Sequence, residues 1–143
     1  METLGSLVDK LTITQLKHYY ADTEEKKNST SEQIILLSGE IDDYMNSVLN
    51  GEVSIVEFPM NKVYRKPTVE IGSPSGDMAF GELVSKLAEI NHKMWLNQEH
   101  VYNFEDVPED KRVEVIDRCA TLNVERNEFM DAINKWLAKK LHD

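Results

Sequence analysis

LGSLVDKLTITQLKHYY, residues 4–20, and FGELVSKLAEINHKMWL, residues 80–96, decide the fold, because they align with each other without a gap. Gly5 matches Gly81, Leu7 matches Leu83, Val8 matches Val84 and Leu11 matches Leu87. The lysines match as well, Lys10 with Lys86 and Lys17 with Lys93, while Tyr19 stands opposite Trp95. A second pair of stretches follows them, LSGEIDDYMN at 37–46 and LNVERNEFMD at 122–131. In all four, apolar residues recur at three- and four-residue intervals, which is the period of an amphipathic helix. The pattern predicts a mainly α protein. Its plan is a duplicated helical hairpin forming a pseudo-twofold four-helix bundle.

One domain is expected over 1–143, with a first hairpin at 1–50, an arm at 51–79 and a second hairpin at 80–143. The first helix is expected from 4 to about 26, with its apolar stripe on Leu4, Leu7, Val8, Leu11, Thr14 or Gln15, His18 and Tyr19. Asn28, Ser29 and Thr30 read as a turn. The second helix is expected from 31 to 49, facing inward with Ile34, Leu37, Ile41, Tyr44, Met45 and Val48. Asn50-Gly51 is a stop signal. The third helix is expected over 80–102 and the fourth over 109–141, with Pro108 suited to a first helical turn.

Residues 52–78 break the helical period. Val53, Ile55, Val56 and Phe58 read as one strand, and Val63, Tyr64, Val69 and Ile71 as another, around Pro59-Met60-Asn61. A β-hairpin or extended arm follows, with edges free to pair with a second subunit, so a homo-oligomer through 51–79 is expected. Lys62, Arg65 and Lys66 give this arm a local positive charge.

The chain carries a net charge of −10, which argues against non-specific binding to nucleic acid or to an anionic membrane surface. No apolar run approaches the ~20 residues that span a bilayer, and the first residues lack the basic start and apolar run of a secretory signal. A cytoplasmic protein is the expectation, in the host cytoplasm if it is viral. Cys119 is the single cysteine and cannot form an internal disulfide. Its place on an apolar face reads as a buried, inert thiol.

Function is sought where a residue violates its local pattern. On the fourth helix, Val115, Ile116, Cys119, Leu122, Met130, Ile133 and Leu137 define the buried stripe, and Arg126 falls at its centre. The matching residue of the first hairpin is Ile41. A buried guanidinium costs several kcal/mol unless it meets an acid, carbonyls or an anion. On the third helix Leu83, Val84, Leu87, Ile90 and Met94 form the stripe, and Asn91 lies within it. Folding the hairpin brings Asn91 towards Asn123 and Arg126, with Trp95 as a flat wall. Gln15 takes the Asn91 position in the first copy and His18 the Met94 position.

Two readings follow from that cluster. In one it is a network that sets helix register, with Arg126 paired to Asp42, Asp131 or a glutamate. In the other it is a pocket for a flat, negatively charged, nucleotide-type small molecule. Its residues would be Gln15, His18, Lys86, Asn91, Lys93, Trp95, Asn123, Arg126 and Asn127. Gly5 and Gly81, at helix starts, suit either phosphate binding or close helix packing. No P-loop, GxSxG or HExxH motif is present, and no cofactor is called for. A weaker enzymatic reading rests on Glu24, Glu25, Glu40 and Asp43, since all-α nucleotide pyrophosphatases hold magnesium with acids on facing helices.

The phrases LVSKLAEINHKMWL and LNVERNEFMDAIN resemble an uncharacterised bacterial and phage helical family whose pattern is LVDKLxIxNxKxWH followed by LNxxRNxLIxEID. Leu83, Val84, Lys86, Leu87, Asn91, Lys93, Trp95, Leu122, Asn123, Arg126 and Asn127 carry the resemblance. In the first copy Leu7, Val8, Asp9, Lys10, Leu11, Ile13 and Lys17 fit the opening better, and the second copy departs at Ser85, Glu89 and Leu96. The resemblance implies an accessory or host-manipulating protein with no established activity. The function expected is non-enzymatic binding that sequesters such a ligand. The alternatives are a protein–protein interaction module whose polar core is purely structural, and the magnesium-dependent hydrolase.

Overall fold

The computed structural model describes residues 2–52 and 66–142. Among these residues four helices carry the fold: α1 (Leu4–Tyr19), α2 (Glu24–Leu49), α3 (Phe80–Tyr102) and α4 (Arg112–His142). Short 3₁₀ turns, Phe104–Asp106 and Glu109–Lys111, join α3 to α4. No described helix is long and apolar enough to cross a membrane. Among the described residues there is no strand. Val69 and Ile71, expected in the second strand, lie in irregular chain; the first strand, Val63, Tyr64 and the charges of Lys62 and Arg65 lie outside the described residues.

Local chemistry explains each boundary. Thr3 caps α1, accepting from the Ser6 amide, and the Ser6 hydroxyl accepts in return from the Thr3 amide, a reciprocal capping box. The expectation that α1 runs to about residue 26 is corrected. Thr23 is the N-cap of α2, accepting from the Lys26 amide. Glu24 and Glu25 then sit in the first turn, where the positive pole of the helix dipole favours acids. Asn28, Ser29 and Thr30 are therefore inside α2, not in a turn. Thr30 is accommodated there because its hydroxyl donates back to the Lys26 carbonyl. Gly51, at φ +74°, ends α2 in the left-handed conformation that glycine adopts freely.

The core joins Leu4 and Val8 of α1, Val48 of α2, Leu83, Leu87 and Ile90 of α3, and Leu122, Phe129, Ile133 and Leu137 of α4. α1 packs on all three other helices, whereas α2 packs chiefly on α1. Ile41, Tyr44 and Met45 flank the core from α2, while Ile35 and Leu36 on its outer side stay exposed.

The two repeat glycines have different roles. Gly5 lies at a helix crossing, where an added Cβ would stand 2.3 Å from the Met130 carbonyl oxygen. Its amide donates to Asn134 Oδ1 at 2.7 Å. Gly81 faces open space.

On α4 the buried row differs from the expected one. Thr121, Glu125 and Phe129 are fully buried, while Ile116 is exposed and Cys119 and Met130 are only half-buried. The cause is the irregular segment 66–72, which lies against α4 and covers Thr121 and Glu125.

Candidate functional site

Two places gather polar chemistry from several elements. The first is where α1, α3 and α4 meet. Asp9 is buried there, and its Oδ1 accepts from Arg126 Nε at 3.1 Å and from Asn91 Nδ2 at 2.9 Å. Asn91 Nδ2 also reaches Thr12 Oγ1 at 2.8 Å, and Thr12 donates to the Asp9 carbonyl. The partner of Arg126 is thus Asp9, not Asp42, Asp131 or a glutamate. One carboxylate ties the three helices, and a charge-assisted pair of this kind sets register when its groups are satisfied.

Of the nine expected residues, only Asn91 and Arg126 join this cluster. Gln15 is exposed, and Thr14 takes the buried place instead. His18 Nδ1 bonds Thr30 Oγ1 at 2.8 Å and fastens α1 to α2. Trp95 stacks on Tyr20, with ring centroids 5.5 Å apart and planes 14° apart, and Tyr20 Oη bonds His92 Nε2. Asn123 is exposed and donates to the Cys119 carbonyl of its own helix. Lys86 pairs with Glu89, one turn along α3. Lys93 and Asn127 are half-buried on α3 and α4. Asp9 lies between Asn91 and Arg126 and already engages both side chains.

The second place is a cleft of about 880 Å³ between the start of α3 and the last turns of α4. One wall is Pro74 to Ala79 and the other is α4 from Glu128 to Lys140. Phe80 and Trp136 face each other at 4.7 Å between ring centroids, and Lys140 Nζ lies over the indole at 5.9 Å. Lys135 and Lys139, four residues apart and hence on one helix face, line the rim and have no acidic partner among the described residues. Ala79, the N-cap of α3, offers no side-chain cap, so the first amides of α3 keep their donor capacity.

Acids also line this cleft, but all three are already engaged. Lys66 Nζ stands 3.1 Å from Glu128 Oε1. Ser75 Oγ donates to Asp77 at 2.7 Å and holds its carboxyl below the ordinary carboxylate range. Asp131 lines the same wall and is also engaged.

None of the nine expected residues lines the cleft. The signal in the sequence was Lys135-Trp136 followed by Lys139-Lys140, which reads equally as a basic last turn balancing the helix dipole. The acids of the hydrolase reading do not converge: Glu24, Glu25, Glu40 and Asp43 are exposed. Among the described residues no three His, Cys, Asp or Glu side chains form a metal-holding group. No protein-family model matches the sequence, and no curated protein or solved structure matches it either, so a function must be argued from this geometry.

Proposed function

We propose that this chain is a non-enzymatic binding protein that sequesters a small anionic ligand with a flat ring, of nucleotide type, in the cleft between α3 and α4. The observation that carries the reading is the convergence of paired aromatic rings, Phe80 and Trp136, with Lys135 and Lys139 and the uncapped start of α3. Aromatic faces hold a planar group, lysines and helix amides hold phosphate oxygens, and the cleft has the size of small-molecule sites. The Asp9–Asn91–Arg126 cluster belongs to the structural side of this reading, fixing how the helices meet. Duplication of one hairpin, a pseudo-twofold arrangement and self-association through 51–79 are further parts of the proposal.

A thermal-shift panel of mono-, di- and cyclic nucleotides and nucleotide sugars tests it. A ligand binding only the folded state adds about 2.7 kcal/mol at a hundredfold excess over its Kd. The shift is expected to vanish in Lys135→Gln/Lys139→Gln and to persist in Arg126→Met, each variant measured against its own ligand-free melting point. No shift across the panel, or one that survives loss of both lysines, overturns the reading.

A further inference from the structure

The wall formed by Pro74 to Ala79 is the end of a strap, residues 66–79, that runs along α4 in irregular conformation. Its amide hydrogen bonds to α4 converge on two side chains. Thr121 Oγ1 accepts from the Thr68 amide at 3.1 Å and bonds the Thr68 hydroxyl at 2.8 Å. One turn on, the Glu125 carboxylate accepts from three consecutive amides: Glu70 at 3.2 Å, Ile71 at 2.9 Å and Gly72 at 2.8 Å. Glu125 is fully buried, so this row of amides supplies most of the solvation that the carboxylate gave up. Gly72 has φ +106°, a conformation that suits glycine and turns the third amide onto the carboxylate.

Pro67, Thr68 and Val69 are exposed, and Ile71 and Met78, both half-buried, are its apolar contacts with the core. Lys66 reaches both Glu125 and Glu128, and Arg118 pairs with Glu70 at 3.6 Å. Glu128 also lines the cleft, so the clasp and the cleft share a side chain.

We propose that residues 66–79 are a latch on the cleft, hooked by Glu125 and Thr121, whose release opens the wall beside Trp136. Segments held mainly by polar bonds, with no fully buried apolar side chain of their own, are those that open locally, below the cost of global unfolding. Because the three amides share one carboxylate, they let go together. The role of the latch in retaining a ligand rests on the function proposed above; the latch itself does not.

The test uses Trp95→Phe as background, which leaves Trp136 as the only indole. Glu125→Gln keeps the shape but presents an amide N–H to one of the strap donors. It is expected to raise hydrogen exchange at Glu70, Ile71 and Gly72 at least tenfold and to increase acrylamide quenching of Trp136. Core amides of α3 and α4 should keep their protection. Thr121→Val removes the other tie and is expected to give a smaller change of the same kind, which guards against misfolding of the first variant. Unchanged exchange and quenching in both variants would overturn the latch. With adenosine diphosphate as probe, Glu125→Gln should weaken binding about tenfold; equal affinity in both proteins would separate the latch from ligand retention. A wild-type protein that binds no nucleotide defeats the functional reading, while exchange and quenching still decide the latch.

Discussion

Replacing Gly5 and Gly81, which hold the same place in the two repeats, by alanine should move stability in opposite directions. In Gly5→Ala the new Cβ would stand 2.3 Å from the Met130 carbonyl oxygen, 2.9 Å from its carbon and 3.1 Å from Asn134 Oδ1. The first two atoms are backbone, so no rotamer change relieves the clash. α1 and α4 must part by about 1 Å, and overpacking of this kind costs about 1–3 kcal/mol. The Gly5 amide bond to Asn134, now 2.7 Å, is stretched as the helices part, at about 1 kcal/mol. Alanine offsets roughly 1 kcal/mol through its helix propensity. The net expectation is a loss of about 2 kcal/mol, or a melting point lower by about 4–8 °C for a chain of this size. Gly81→Ala meets nothing within 4 Å and gains up to about 1 kcal/mol from propensity alone. Urea titrations followed by circular dichroism, fitted with a common m-value, measure both. A neutral or stabilising Gly5→Ala would refute the close crossing and, with it, the placing of α1 against α4.

Three more expectations follow from single contacts. Arg126→Met leaves the buried Asp9 carboxylate without its cation and should cost about 2–4 kcal/mol, towards the lower end because the guanidinium is partly exposed; adding Asp9→Asn should recover at least about 1 kcal/mol in a double-mutant cycle, and strict additivity would mean the two do not interact. Thr23→Ala should cost about 1 kcal/mol, whereas a neutral result would place the start of α2 elsewhere. Burial raises the phenol pKa of Tyr44 above its ordinary value of 10.0, against a smaller lowering from its hydrogen bond with the Leu4 backbone. Its contribution is therefore fully present below pH 10 and is lost as pH rises from the unfolded towards the folded value. Unfolding titrations between pH 9 and 11 should show a steeper alkaline decline in the wild type than in Tyr44→Phe.

The fold was legible where one physical signal dominated. Apolar periodicity marks α3, whose expected limits match those observed, and most of α4. The end of α1 was not legible by that route, because Asp22 to Lys27 is polar and periodicity is silent there; a cap residue followed by two acids, Thr23-Glu24-Glu25, was the better guide. Arg126 was found as a misfit in an apolar row, and Asn91 with it. Asp9 was missed because it lies between Val8 and Lys10 at the edge of the stripe, where an acid reads as solvated. Glu125 was missed for a different reason. Its burial depends on irregular chain 66–72 arriving from elsewhere, and no pattern within α4 records that. The cleft was illegible for the same cause, since one wall is loop and the other a lysine-rich helix end.

The repeat and the polar cluster bear on each other. In the aligned copies Asp9 corresponds to Ser85, Asn91 to Gln15 and Arg126 to Ile41. One complete acid–amide–guanidinium set therefore exists, assembled from both halves, and its mirror set carries no charge. The mirror positions Ser85 and Gln15 are exposed, and Ile41 packs beside the core. A buried carboxylate without its cation is strongly destabilising, as is the reverse, so the two charges of such a set must persist or disappear together. Where α1 crosses α3 and α4 the set is enclosed and its loss would leave polar atoms without partners. Where α2 packs chiefly on α1, the apolar Ile41 beside the core stands in place of the guanidinium. The unequal packing of α2 and the unequal fate of the two polar sets are thus one asymmetry.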